Sequence, residues 1–368
     1  MHLYVHVPFC ARRCSYCDFA IAVRREVPSA QFAGLIEREW AGWQNYAAWI
    51  ESPALDTIYF GGGTPSRLDP AHITRLIGSF RADRSLTPGA EVTLEANPDD
   101  VTQRHAEAWL TAGVTRISLG AQSFDPAVLE WMHRTHAASQ IGAAVKTLRS
   151  AGFADISLDL IYAVPKALGR DWSADLDRAL ELVPAHLSLY GLTVEPATPL
   201  GKWTARGESL SLDDDHAAEE YLLAHVRMEA AGFEHYEVSN AGQPGHRARH
   251  NSAYWRRAPF IGLGPSAHSG LGEVRRWNVR EWTEYSRRAE AGEPLMQEQE
   301  TLDQGQVELE DLYLGLRTSD GLAARRVPSS VRELWRESGW AVVDDSRVTL
   351  TPEGWLRLDA LVASLSRC

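Results

Sequence analysis

Three of the four cysteines in this 368-residue chain fall in one short run, Cys10-Ala-Arg-Arg-Cys14-Ser-Tyr-Cys17. Thiolates spaced C-x3-C-x2-C can each ligate one iron of a four-iron cubane. Iron–sulfur clusters with a full protein shell use four cysteines, so this set leaves the fourth iron open to a small chelator. The amino and carboxylate groups of S-adenosylmethionine (SAM) suit that place. The competing chemistry is zinc, with a histidine such as His6 completing the shell. Structural zinc sites favour paired C-x2-C knuckles, and none is repeated here. Clustered thiols in a reducing compartment point to metal binding or catalysis and not to a disulfide. The fourth cysteine, Cys368, ends the chain and reads as a free thiol on a frayed tail.

A cluster has to be held on a scaffold, and the chain predicts one. Residues 3–7 read as a short buried strand. A helix is predicted over 29–50, with Phe32, Leu35, Ile36, Trp43, Ala47 and Ile50 near one face. Further strands are predicted at 57–60, 91–96, 116–120, 155–160 and 186–190. Helices over 70–80, 102–112, 126–132, 138–150 and 171–183 alternate with them. Six alternations imply parallel strands with crossover helices. A closed eight-stranded barrel takes about 250 residues, whereas these units end near residue 190. The expected fold is therefore α/β, a partial (β/α)6 barrel, with a doubly wound open sheet as the alternative.

In parallel barrels the ligand lies at the C-terminal ends of the strands. The cysteine run, Gly61-Gly62-Gly63-Thr64-Pro65, Glu95, Gln122 and Asp159 each follow a different predicted strand. Any one of them alone reads as a tight turn, a solvated loop or a helix cap. Five at five successive strand ends predict one shared mouth.

Beyond residue 190 the pattern changes. Residues 191–300 hold several Gly/Pro turns, a helix near 215–231 and the segment His250-Asn251-Ser252-Ala253-Tyr254-Trp255. Residues 301–368 then read as helix (303–317), helix (329–338), a hairpin around Asp344-Asp345-Ser346 and a last helix from Pro352. That order is winged-helix-like. It carries no strong basic run beyond Arg325-Arg326, so a structural or partner-contacting role is preferred to DNA binding. The expected division is 1–190, 191–300 and 301–368.

Composition bounds the rest. Lys plus Arg number 37 against 49 Asp plus Glu, a net charge of -12. This argues against general nucleic-acid binding, which wants a basic face. With 44% apolar residues the chain can build a core. No apolar run is long enough to span a bilayer, and residues 3–7 lead straight into Pro8 and the cysteines in place of a signal peptide. The expected location is the cytoplasm.

The cysteine spacing resembles that of the radical-SAM superfamily. The segment Leu3-Tyr4-Val5-His6-Val7-Pro8-Phe9-Cys10 is similar to the oxygen-independent coproporphyrinogen oxidases and their relatives, the heme chaperones of the HemW type. The resemblance runs to about residue 270 and more loosely to the C-terminus. It implies a [4Fe-4S] cluster on Cys10, Cys14 and Cys17, SAM on the open iron, and a glycine loop (Gly62, Gly63, Thr64) at the SAM amino group. It also implies Glu95 at the SAM ribose, and Tyr4, Tyr16, Gln122, Arg134 and Asp159 lining the SAM region. In some relatives certain of these positions hold a second SAM.

Two departures from the oxidases steer the expected function. Those enzymes carry a fourth cysteine two residues beyond the third, where this chain has Phe19, and a longer arm before the cysteines. Both features resemble the chaperones. The H-N-x-x-Y-W segment resembles an element of that branch associated with heme, in which His250 would ligate iron and Tyr254 and Trp255 would cover the macrocycle; the plainer reading is a satisfied core histidine. The expected function is thus a heme chaperone that passes heme to an acceptor, a respiratory enzyme. An electron donor such as flavodoxin or ferredoxin, and peripheral membrane association through the acceptor, go with it. The alternative is an oxygen-independent coproporphyrinogen III dehydrogenase, which cleaves SAM to a radical and decarboxylates propionates. A different radical-SAM transferase, such as a methylase, comes third.

Overall fold

The computed structural model describes residues 1–44, 54–208 and 212–365. Cys368 and the predicted helical positions Ala47 and Ile50 lie outside them. Six strands match the predicted ones: β1 (His2–Val7), β2 (Ala54–Gly62), β3 (Ser85–Ala96), β4 (Arg116–Gln122), β5 (Asp155–Tyr162) and β6 (His186–Gly191). They are joined by β7 (Glu234–Glu237), β8 (Asn240–Gly242), β9 (Phe260–Leu263), β10 (His268–Leu271), β11 (Val274–Asn278) and β12 (Met296–Thr301). One sheet holds all twelve, in the order β12-β11-β10-β9-β1-β2-β3-β4-β5-β6-β8-β7. Strands β1 to β6 are parallel, as expected, and β9 adds a parallel neighbour to β1. The sheet does not close into a barrel among the described residues.

Register explains why this sheet can hold a ligand. On β1, Leu3, Val5 and Val7 are fully buried, and their counterparts Ile58, Phe60, Val92, Leu94, Ile117, Leu119, Ile156 and Leu158 form the same core. Helices α1 (Ser29–Trp43), α2 (Pro70–Asp83), α3 (Gln103–Ala112), α4 (Pro126–Trp131), α5 (Ala138–Ala151) and α6 (Trp172–Glu181) follow these strands. They supply Phe32, Ile36, Ile77, Phe80, Trp109, Ile141, Leu148 and Leu176 to that core. Successive strand residues face opposite ways, so the intervening positions line the concave side. Tyr4 pairs with Tyr59, Tyr59 with Thr93, Glu95 with Ser118, and Asp159 with Ser188. Strands covered on both faces usually read as continuous apolar runs; the polar residues here mark the inner face as a binding surface.

The segment 249–255, placed in a loop-rich region by sequence, is helix α9 (Arg249–Trp255), after α7 (Pro199–Ala205) and α8 (Asp214–Ala230). It sits at the N-terminal ends of the strands. The Glu91 carboxylate accepts from the Arg249 and His250 backbone N–H groups at 2.8 and 3.0 Å. Strand β9 is held from the other side. Glu39 of α1 accepts from Gly264 N–H (2.8 Å), Asn278 Nδ2 (2.6 Å) and Tyr285 O–H (2.7 Å), the last on α10 (Trp282–Ala291). Glu39→Ala strands three buried donors, each costing about 1–3 kcal/mol. A loss of at least ~3 kcal/mol is expected, read as a lowered denaturant midpoint; a midpoint equal to the wild type would refute it.

The C-terminal module has its own core of Leu312, Leu316, Trp335, Val348, Leu350, Trp355 and Leu361, joined by Tyr221 of α8. It comprises α11 (Gln304–Arg317), β13 (Leu322–Ala323), α12 (Ser329–Glu337), β14 (Ala341–Val343), β15 (Arg347–Leu350), α13 (Pro352–Trp355) and α14 (Leu358–Leu365). The predicted hairpin gains a third strand, giving the order β13-β15-β14. The predicted last helix breaks in two. The module is winged-helix-like.

Candidate functional site

At the C-terminal ends of β1 to β6 lies a cavity of about 390 Å³. Cys10, Cys14 and Cys17 line it. Their loop is fixed at both ends. Phe9–Cys10 pairs in parallel with Ala22–Val23, while Ser15 N–H and Oγ both donate at 3.2 Å to the last turn of α4 and the residue after it, at Met132 O and Trp131 O. Two thiols receive hydrogen bonds: Thr64 Oγ1 lies 3.4 Å from Cys10 Sγ, and Arg134 Nη1 lies 3.5 Å from Cys14 Sγ. Donors aimed at sulfur stabilise thiolate and tune cluster potential. Burial pushes the Cys17 thiol up to about 11; a coordinating metal reverses that tendency. Among the described residues no three His, Cys, Asp or Glu side chains could hold a single metal ion. A cubane spreads three thiolates over three irons, so it does not require such convergence.

The glycine loop and Glu95 form one unit. Gly62, at φ +109°, donates its N–H to Glu95 Oε2 at 3.0 Å, and Tyr59 O–H donates to Oε1 at 2.8 Å. A Cβ on Gly62 would meet His6 Cε1 at 2.5 Å, and one on Gly63 would meet the Pro8 backbone at 2.8 Å. Burial raises the Glu95 carboxyl to about 7, with the charge of nearby Asp159 adding to the effect and the Tyr59 bond opposing it. Burial raises Asp159 as well, against Ser118 Oγ, which donates at 2.9 Å. Across the cavity Arg134 is clamped by Asn97 Oδ1 (2.6 Å) and Gly120 O (3.1 Å). Gln122 takes a left-handed φ of +66° where the β4–β5 register shifts. Such irregularities re-aim side chains at strand ends.

Of the sequence-predicted residues, Cys10, Cys14, Tyr16, Cys17, Gly62, Gly63, Thr64, Glu95, Gln122, Arg134 and Asp159 all line this cavity. Tyr4 does not. It lies beside the neighbouring cleft, with its O–H 3.1 Å from His6 Nδ1. His250 is at the far end of the strands and 1% exposed. Its Nδ1 is 2.6 Å from Thr57 Oγ1 and its Nε2 is 2.7 Å from Tyr254 O–H, so neither nitrogen is free for iron in this conformation. Tyr59, Asn97, Ser118 and Tyr190 escaped the sequence reading. The signal for Tyr59, Ser118 and Tyr190 was the alternation of polar with apolar residues along each strand, while Asn97 comes directly after β3.

Residues 4–179 match the radical SAM superfamily. A Mycobacterium tuberculosis protein named heme chaperone HemW is 36% identical over 371 residues, covering 99% of this chain and 94% of its own length. The chain belongs to the HemW family of radical SAM proteins. A Bacillus subtilis HemW is 32% identical, with 96% of each chain covered. Among solved structures, the coproporphyrinogen III oxidase HemN from Escherichia coli superposes with a TM-score of 0.81 over 99% of this chain and 89% of its own, at 20% identity. That likeness establishes a shared fold. The cavity brings the three thiols of Cys10, Cys14 and Cys17 to one wall. The arrangement offers sulfur ligands on one wall and a glycine backbone edge with two carboxylates on the others.

Proposed function

We propose that this protein is a heme chaperone, which binds heme and hands it to an acceptor protein while carrying a SAM-bound [4Fe-4S] cluster. The observation that carries the reading is likeness over nearly the whole chain to proteins named heme chaperone HemW. Phe19 supports it. This residue is 55% exposed on the loop between the two cavities, where the porphyrinogen oxidases have a cysteine.

In this reading Cys10, Cys14 and Cys17 hold three irons and leave the fourth for SAM, whose bound cluster supplies one-electron chemistry. The Gly62-Gly63-Thr64 edge takes the SAM amino group and Glu95 accepts from the ribose hydroxyls. Tyr16, Gln122, Arg134 and Asp159 close the remaining walls, and Tyr4 supports the glycine loop from the neighbouring cleft. His250 fastens α9 across the strand N-termini. The acceptor is a respiratory enzyme, reached at the membrane surface; no helix among the described residues is long and apolar enough to cross a bilayer. Flavodoxin or ferredoxin supplies electrons. The division 1–190, 191–300 and 301–368 then separates cluster binding, heme-side surface and partner contact.

One anaerobically reconstituted sample, given heme and coproporphyrinogen III together with SAM and a reductant, tests the reading. Heme should be retained through gel filtration and coproporphyrinogen recovered unchanged. Formation of protoporphyrinogen IX at many turnovers per protein would replace the chaperone reading with the dehydrogenase.

A further inference from the structure

A cleft of about 530 Å³ runs beside β1 and shares Asp18 and Phe19 with the cluster cavity. Its volume falls within the roughly 300–1,000 Å³ of small-molecule and cofactor sites. Strands β9, β10 and β11 make its floor. Phe260 pairs with Gly270, Gly270 with Arg275, and His268 with Trp277. Cross-strand partners project to the same face, so an aromatic ring, a cation and an imidazole stand together there. A Cβ on Gly270 would meet Phe260 Cε1 at 2.6 Å, so glycine is what lets the Phe260 ring lie across the floor. Tyr254 packs edge-on against Phe260 at 4.6 Å, extending the apolar surface.

Two histidines line this cleft, and they differ in one respect. His6 is bonded at both nitrogens, Nδ1 to Tyr4 O–H at 3.1 Å and Nε2 to the Ala20 carbonyl at 2.9 Å. His268 is exposed, and among the described residues its ring nitrogens have no hydrogen bond. Its ring is stacked on Trp277 at 5.5 Å and 23°, which holds its plane without occupying its lone pair. Cations flank the same space. Arg280 is exposed and donates to the Asp18 carbonyl at 2.5 Å. Arg275 is bonded to Glu310 of α11 at 2.9 Å.

We propose that this cleft is the heme site, with His268 as axial iron ligand, Phe260 and Tyr254 against the macrocycle, and Arg275 and Arg280 receiving the heme carboxylates. The assignment rests on the chaperone reading above and moves the ligand from His250 to His268. It also links cargo to the C-terminal module. Glu310 bridges Arg275 and Arg257 (2.5 Å), so a heme carboxylate at Arg275 competes with a bond that ties α11 to the cleft.

Titration of the full chain with hemin, followed by absorbance, decides the matter. The wild type should give a shifted Soret band. His268→Ala should displace that band and raise Kd at least tenfold, and Arg280→Glu should raise Kd at least threefold with the band in place. His250→Gln, judged folded by circular dichroism, should keep the wild-type band. An unchanged band and Kd in His268→Ala would overturn the cleft assignment and leave the chaperone reading standing, as would loss of the band in folded His250→Gln. A wild type that gives no Soret shift would remove both.

Discussion

A Cys14→Ala variant, reconstituted anaerobically with iron and sulfide, is expected to hold less than a tenth of the wild-type cubane. With Cys14 gone, two of four irons lack a protein ligand, one of them in a position no small chelator is built to serve. Exchange with solvent thiols then strips the cluster. The loss should be specific to the metal. Cys14 is half-buried, and the loop around it is held by the two Ser15 bonds to Met132 and Trp131 and by the pairing of Phe9–Cys10 with Ala22–Val23. Circular dichroism should therefore match the wild type while Mössbauer and EPR signals of the cubane vanish. Arg134, deprived of its sulfur partner, keeps Asn97 and Gly120. Wild-type cluster content in the variant, or zinc with no iron in protein from iron-replete anaerobic cells, would end the cluster assignment.

Gly62→Val should leave the cluster in place and abolish the change that SAM causes in its EPR spectrum. Two independent features produce this effect. The backbone at Gly62 is left-handed, at φ +109°, which β-branched residues avoid. The first side-chain carbon would also collide with the buried His6 ring at 2.5 Å. Relief requires the loop to move, which breaks the Gly62 N–H bond to Glu95 and frees a carboxylate that both Gly62 and Tyr59 now orient. Displacing the glycine edge and misdirecting the carboxylate together correspond to about 100-fold in SAM affinity, or ~2.7 kcal/mol. Gly78→Ala is the control, because a Cβ there meets nothing within 4 Å. An undiminished SAM response in Gly62→Val would separate the glycine loop from SAM binding.

Most of the cysteine-lined cavity was readable from strand ends because parallel strands deliver their C-terminal residues to one side of the sheet whatever their exact length. That rule brought Glu95, Gln122 and Asp159 to the cysteines without any distance being known in advance. It did not bear on His250, whose expected role came from the H-N-x-x-Y-W resemblance and not from a strand end. A helix inserted between β8 and β9 carries no strand-end rule, and α9 docks its N-terminus on Glu91, at the opposite end of the sheet. Tyr4 stands in the middle of β1, and which cavity it faces depends on strands contributed by a distant part of the chain. The predicted helix over 29–50 was correct as far as Trp43, after which the described residues stop at 44.

Local chemistry was therefore determined by the sequence itself: three thiols in one loop, a glycine backbone edge, and strands whose alternate residues are polar. Each follows from covalent spacing or from the two-residue period of a strand, neither of which needs the rest of the chain. The tertiary structure alone decided which histidine is free. His6, His250 and His268 are equivalent as letters. Burial and neighbours from other segments, Ala20 for His6 and Thr57 for His250, occupy the nitrogens of the first two, while the His268 side chain stands exposed on the face of β10 with its nitrogens open. Whether a lone pair is available to iron is a property of its partners, and those partners meet only when the sheet extends past β1.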